Sequence, residues 1–472
     1  MSTAHENNAP PARSADSIKT AIAVIKQRFG DRVQTGQAIR EQHGHTLTWI
    51  KNEPPDAVFW PNDTQEVRDV VRIAAEHNCP IIPFGAGTSL EGHVNAPQGG
   101  ISLDFQNMKE IIAVNQEDLD VVVQPGVSRK ELNDHLRDTG LFFPIDPGAE
   151  EATLGGMAAT RASGTNAVLY GTMRENVLNV TAVMADGSIF KTGNRSRKSS
   201  AGYDLTRLMV GSEGTLGIIT ELTVRLYGVP ETILAAVCPF KTVEGACNTV
   251  IQSIQLGLGV ARMELLDAMQ VKAVNFHSKM DFEEVPTLFL EFHGTPVSAR
   301  DQVENFKAIA EEEGAIRFDW AERLEERTRL WKARHDAYWS VRSTWPGMDT
   351  LATDVCVPVS RLAECVTETV KDIEEHGLIA PIVGHVGDGN FHTSPVFDPA
   401  NEAEKRKIEE FLARLSERAI AMEGTCTGEH GVGQGKRKYL AAEHGHGLNV
   451  MRQIKTALDP QDIFNPGKIL PI

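Results

Sequence analysis

The stretch CPIIPFGAGTSLEGHV, Cys79 to Val94, carries a short apolar run straight into a glycine-rich connector. CPIIPF reads as a buried strand, and Gly85 and Gly87 let backbone N–H groups come close to a phosphate or pyrophosphate. The next glycine is Gly92, so the spacing departs from GxGxxG, and no helical pattern follows; a nicotinamide-binding Rossmann unit is disfavoured. Alone, the loop is equally a surface turn. Two more small-residue connectors change that balance, ATLGGMAATRASGTNAVLYGT (Ala152–Thr172) and GSEGTLGIIT (Gly211–Thr220). Three such loops interleaved with strands favour a large dinucleotide lying against backbone.

Working outward, residues 56–229 alternate short β-branched runs with helical stretches. Asp63 and Glu66 form a capping-box signature ahead of Val67, Val70, Val71 and Ala74, which share one helical face. DLDVVVQPG is a second strand, and Ser128 with Glu131 caps the helix after it. VLNVTAVMADGSIFKTG reads as a hairpin about Asp186-Gly187. Beyond Val229 the helices lengthen and alternate with strands such as PTLFLEFHG; DWAERLEERTRLWKARHDAYWS reads as one helix bearing Leu324, Leu330, Trp331 and Tyr338. With 472 residues the chain exceeds one hydrophobic core, so two or more domains are expected. A formal charge of −17 excludes a nucleic-acid binder and polybasic docking on anionic lipid. Six cysteines without a CxxC pair suit a reducing compartment and offer no zinc-finger or iron–sulfur run.

The sharpest constellation is VGHVGDGNFHTS. Asp388-Gly389 is a strong two-residue turn signal, and pairing about it sets His385 opposite His392, with Cβ atoms ~5 Å apart. Two imidazoles at that separation can chelate one divalent metal; two surface histidines would read the same way. The turn GEHG adds Glu429 as a third ligand candidate and His430 as a candidate general base, against the plainer readings of a solvated acid and a structural histidine. Spacing alone does not bring residues 385 and 429 together. GVGQGKR fails the Walker pattern, because Gly435-Lys436 is followed by Arg437 and His430 stands where the earlier glycine is required.

PFGAGTSLEGHV, the two later glycine loops, GHVGDGNFH, GEHGVGQGKR and LDPQDIFNPGKIL together resemble the FAD-linked 2-hydroxy-acid dehydrogenases, nearest to the cytochrome-type D-lactate dehydrogenases through LWKARHDAYWS and TDVCVPVSRL. The resemblance implies an α+β chain. A vanillyl-alcohol-oxidase/PCMH-type FAD-binding domain (18–229) would follow a disordered tail (1–17). A ferredoxin-like substrate cap bearing the metal hairpin (230–424) would come next, then a C-terminal segment returning to the FAD domain (425–472). It assigns cofactor binding to Pro83, Gly85, Ala86, Gly87, Thr88 and Ser89, to Pro147, Gly148, Thr153, Gly155 and Gly156, and to Ser163, Gly164, Asn166, Tyr170 and Gly171. Glu213, Gly214, Gly217, Ile219 and Asn465 complete that set. His385, His392 and Glu429 match the family's metal ligands, with zinc expected and manganese or iron as alternatives. His430 matches its catalytic base; Arg334, beside His385 and His392, would bind the substrate.

The implied reaction is metal-assisted oxidation of a small D-2-hydroxy acid, D-lactate first, by hydride transfer to flavin N5. Relatives acting on 2-hydroxyglutarate carry a lysine where this chain has Ala352, so a monocarboxylate is preferred over a diacid. No histidine stands between Ala86 and Ser89 for covalent attachment, so FAD is expected to be non-covalent. A separate acceptor is required: a quinone, cytochrome c or an electron-transfer flavoprotein. The flavin subunit of a glycolate oxidase is the near alternative, and a metal-dependent hydrolase the one from another class. No transmembrane segment is expected and a homodimer is allowed. The polar N-terminus, with neither an apolar core nor an Arg-rich presequence, sets the expected location as the cytoplasm, with peripheral attachment at the inner face of the membrane as a variant.

Overall fold

The apolar runs between residues 33 and 104 build a four-stranded sheet in the order Val33–Gln34, Ala57–Phe59, Ile101–Asp104, Ile81–Phe84. The chain is described here by a computed structural model over residues 12–471. The last three strands run parallel, as a crossover helix between them requires. That helix, Thr64–Glu76, begins where Asp63 accepts from the Glu66 N–H at 2.9 Å, and it buries Val67, Val70, Val71, Ile73 and Ala74. Each buried valine contributes about 1.5–3 kcal/mol. Glu66 reaches back to the Asn62 N–H, one residue before the expected cap, because its carboxylate is also held by Arg32.

A five-stranded antiparallel sheet follows, ordered Ile111–Asn115, Asp120–Val123, Ile218–Arg225, Val177–Val183, Ile189–Lys191. Its edge is the hairpin about Asp186-Gly187, with Val183 opposite Ile189. The capping box of Ser128 and Glu131 opens the helix Arg129–Leu136.

The third sheet has seven strands, ordered Asp319–Ala321, Thr232–Pro239, Thr287–Gly294, Val260–Leu266, Ile382–His385, Asn390–Thr393, Val355–Cys356. On one face Met263, Leu265, Leu290 and Phe292 pack under helices through Ala246, Phe306, Val366 and Phe411. Because side chains alternate along a strand, Arg262 and Glu264 turn to the opposite face. That face carries the polar site. The C-terminal segment crosses back to the first sheet, where Phe464 lies beside Ile81 and the Asn465 N–H donates to the Ile81 carbonyl at 2.8 Å.

Two expectations change. Of the tail expected over residues 1–17, residues 1–11 lie outside the described residues. Ser14 already caps the helix Ala15–Phe29, and Arg13 donates to the carbonyls of Gln461 and Asp462. The single helix expected over DWAERLEERTRLWKARHDAYWS is a strand, Asp319–Ala321, and two helices, Leu324–His335 and Ala337–Thr344. Asp336 breaks them: its N–H closes the first helix on Lys332, and Lys332 Nζ holds its carboxylate at 2.7 Å. Trp331, Ala333 and Ala337 still pack in one apolar cluster on either side of the break, while Leu324 is exposed.

Candidate active site

The three glycine connectors meet in space. A Cβ at Gly85 would lie 2.3 Å from Thr153 Oγ1, and one at Gly214, where φ is +67°, would lie 2.3 Å from Pro83 Cγ. These two glycines therefore serve loop-on-loop packing. Ala for Gly214 is expected to cost about 1–3 kcal/mol, read as an earlier urea midpoint with weakened FAD retention; an unchanged midpoint would show that the loops tolerate separation. Gly155 packs on Pro125, Gly164 on Asp146, Gly217 on the Val183 carbonyl; Gly156 donates to Thr153, which caps Leu154–Thr160. Pro147 and Gly148 form an open bend, and Gly171 ends the turn Ala167–Tyr170. Ser163 and Ile219 are buried beside these loops.

Several groups here are built for a partner the protein does not itself supply. Among the described residues, the backbone N–H groups of Ala86, Gly87, Thr88 and Ser89 donate to no protein acceptor. Ser89 Oγ, Ser212 Oγ, Asn465 Oδ1 and His93 Nδ1 are buried without a hydrogen bond. Buried polar groups are normally paired, so this set fits a polar, phosphate-bearing cofactor. Asn465 Nδ2 donates to the carbonyls of Glu213 (2.8 Å) and His93 (3.2 Å), tying the C-terminal segment to both loops. The Glu213 carboxylate accepts from the N–H groups of Val432 and Gly433 at 2.6 and 2.8 Å and lies 3.2 Å from His93 Nε2.

The histidine hairpin has a different register from the expected one. Val383, not His385, stands opposite His392, because Val386–Asp388 form a short 3-10 turn closed by Gly389 at φ +79°. The offset is two residues, which preserves the face; the rings stay 5.4 Å apart. The hydrogen bonds decide what these rings present. His392 Nδ1 lies 2.8 Å from the Thr353 carbonyl and His385 Nδ1 lies 2.7 Å from Glu264 Oε1. Each Nδ1 must carry the proton, leaving Nε2 as a lone pair in the neutral ring. Both Nε2 atoms then converge on Glu429 Oε1, at 3.1 and 3.2 Å. Two imidazole nitrogens and a carboxylate oxygen meeting at one point can share a cation. Burial disfavours a charged His385, yet Glu264 and Glu429 outweigh it and hold its pKa well above the ordinary value; in the bare chain a proton takes that place. Two imidazoles and a carboxylate are the donor set of an open divalent site.

His430 stacks on His392 at 5.0 Å and makes no hydrogen bond through either ring nitrogen among the described residues. Burial pushes its pKa down, against the pull of Asp354 and Glu429. Its position is set by Asp354, whose Oδ2 accepts from the N–H groups of Glu429 and His430 and from Thr427 Oγ1, all at 2.8 Å. Burial opposes that charge, but His430 and His392 hold the carboxyl at about 2. Asp354, His392 and His430 form a second group of ligand-capable atoms beside the first.

Arg334 is buried, and Glu264 accepts from its Nε at 2.9 Å. Asn166 and Tyr170 direct their polar ends at the third sheet: Asn166 Oδ1 accepts from Arg262 Nε at 2.9 Å, and Tyr170 OH lies 2.7 Å from His293 Nδ1. Sequence reasoning missed Glu264, Asp354 and His93. A lone acid inside the apolar run ARMELL was the available signal for Glu264.

Residues 55–193 match the family described as an FAD binding domain, and residues 229–469 match the FAD linked oxidases, C-terminal domain. The chain superimposes on p-cresol methylhydroxylase with a TM-score of 0.79 at 15% identity, covering 98% of each chain, so the fold is the PCMH type. It is an FAD-binding oxidoreductase fold, and the chain belongs to the FAD-linked oxidases, among the 2-hydroxy-acid dehydrogenases of the vanillyl-alcohol-oxidase type. Within that family it is 49% identical over 461 residues to the probable mitochondrial D-lactate dehydrogenase of Danio rerio, covering 97% of this chain and 93% of that one. It is 44% identical over 456 residues to the mitochondrial D-lactate dehydrogenase [cytochrome] of Arabidopsis thaliana, covering 96% and 80%. Both names overturn the cytoplasmic expectation and point to mitochondria; the residues that prompted it fall mostly outside the described ones. No helix among the described residues is long and apolar enough to cross a membrane.

Proposed function

We propose that this chain is an FAD-dependent dehydrogenase that oxidises a small D-2-hydroxy acid, D-lactate first, to the 2-keto acid, with a divalent metal held by His385, His392 and Glu429. Electrons then pass to a separate acceptor of the cytochrome type that the relatives' names print. The observation that carries the reading is the convergence of the Nε2 atoms of His385 and His392 on Glu429 Oε1.

Bound FAD would supply the two-electron acceptor for the C2 hydride, and a divalent cation at the three ligands would supply Lewis acidity toward the substrate hydroxyl. The chain's own residues do the remainder. His430, with both ring nitrogens free, takes the hydroxyl proton. Arg334 holds the substrate carboxylate by the guanidinium end that Glu264 leaves open, which orients C2. The donor set suits a dication: two imidazole Nε2 atoms and one carboxylate oxygen meet at a single point. Ala352 offers no cation to a diacid's distal carboxylate, which would be desolvated unpaired.

The test is a panel of D- and L-2-hydroxy acids, glycolate and D-2-hydroxyglutarate included, assayed with an artificial electron acceptor on protein whose flavin absorbance near ~450 nm has been recorded. D-lactate is expected to lead, D-2-hydroxyglutarate to trail by at least about tenfold, and chelation to abolish turnover until zinc or manganese is restored. Absence of flavin, or indifference to D-lactate, overturns the reading; indifference to chelation removes the metal from it.

A further inference from the structure

Glu264 sits in the strand Val260–Leu266 with no exposed surface, and its two oxygens are divided between two residues. Oε1 faces His385 Nδ1 at 2.7 Å, and Oε2 accepts from Arg334 Nε at 2.9 Å and from Arg334 Nη2 at 2.5 Å. The contact with His385 is built into the sheet, because Glu264 and His385 are direct cross-strand partners. Arg334 comes from a separate helix, Leu324–His335, packed over that face.

Stability alone is a poor account of such a group, since a buried ion pair is commonly matched or bettered by apolar residues of like volume. What this carboxylate does is geometric. By accepting from His385 Nδ1 it fixes the tautomer and ring plane that aim Nε2 at Glu429. By taking one edge of the guanidinium it leaves the opposite end of Arg334 as the open fork. We propose that Glu264 is a positioning residue that fixes the spacing between the arginine and the imidazole, so that the anion seat and the metal ligand set behave as one rigid unit. This rests on the function proposed above.

The substitution Glu264→Gln keeps the volume but leaves one acceptor oxygen for two donors, so one partner must lose its bond. Glu264→Asp keeps the charge but shortens the reach. The FAD-loaded, metal-stripped protein is titrated with zinc alone against a chromophoric chelator, and KM for D-lactate is measured separately. Both variants are expected to bind zinc about 10–100-fold more weakly than the parent and to raise KM together with that loss. Arg334→Met, which breaks the ion pair from the other side but spares the bond to His385, is expected to raise KM while keeping zinc affinity near the parent's. Parental zinc affinity in the Glu264 variants overturns the proposal, as does an equal loss in Arg334→Met, which would make Glu264 only a structural charge partner. Should Glu264→Gln fail to fold, Glu264→Asp decides by the same criterion. A parent that binds no zinc sinks this inference together with the metal reading. A parent that binds zinc but ignores D-lactate sinks the substrate reading and leaves the zinc comparison to decide the role of Glu264.

Discussion

Replacing His430 with alanine is expected to give a folded, yellow, metal-binding protein whose flavin is reduced by D-lactate about 10²–10⁴-fold more slowly. The size follows from general base catalysis lost with little else changed. The loop keeps its shape, because Asp354 holds the backbone N–H groups of Glu429 and His430, not the imidazole. The ring's own contacts are few: it stacks on His392 at 5.0 Å and uses neither nitrogen as a hydrogen bond to the chain. A half-buried imidazole whose Nδ1 is buried without a partner is a poor structural element, since that nitrogen carries a desolvation cost with no return bond. The measurement is anaerobic stopped-flow reduction of the bound flavin, with metal content and flavin spectrum recorded on the same sample. Reduction at the parental rate would assign the proton to another acceptor and return His430 to a packing role. Loss of metal together with rate would make the ring part of the ligand set, as the nearby grouping of Asp354, His392 and His430 allows.

What the sequence revealed of this site was chemistry carried by short motifs. The glycine connectors, the histidine hairpin and the GEHG turn could each be read locally, because turn geometry and residue type are local properties. The motif reading also carried the PCMH-type fold. Two kinds of information were hidden. One was register: Asp388-Gly389 looked like a two-residue turn, but Gly389 instead closes a wider 3-10 turn, and the two-residue offset kept the histidines on one face only because side chains alternate with period two. The other was convergence. Glu264 is 121 residues from His385, and Asp354 is 76 from His430, so no spacing rule relates them. Glu264 is an acid between Met263 and Leu265, whose significance appears only once those neighbours are seen to face the helix-covered core. Asn166 and Tyr170, assigned to the cofactor by motif, also reach Arg262 and His293 of the third sheet, contacts that no motif reveals.

Asp354→Ala is expected to damage the site more broadly than any ligand substitution. Its Oδ2 gathers Thr427 Oγ1 and the N–H groups of Glu429 and His430, and its Oδ1 accepts from Asn390 Nδ2 at 2.7 Å. Removing the carboxylate leaves the N–H groups of Glu429 and His430 without an acceptor, in a region with no exposed surface at this residue, while Thr427 Oγ1 and Asn390 Nδ2 fall back on the carbonyls of Gly431 and Val355. Breaking a buried, charge-assisted cluster from one side costs about 3–5 kcal/mol, but the chain need not unfold to avoid that cost. The loop 427–431 can open to water by itself, since the strands on which His385 and His392 sit are held by their own ladders. Local opening carries away Glu429 and His430 together, so metal affinity and turnover should both fall by at least about 10²-fold, while the flavin loops survive. Asp354→Asn should fall between. Its single oxygen can serve the backbone N–H groups, but its amide then meets Asn390 Nδ2, a donor already engaged with the Val355 carbonyl at 2.8 Å, and turning Asn390 over would break that bond. Hydrogen exchange at residues 427–431 is the deciding measurement. Fast exchange confined to that loop, with parental protection in Ile382–His385, makes Asp354 the clamp that holds the acid and the base in place; parental protection at 427–431 would locate the loss of activity in charge rather than in position.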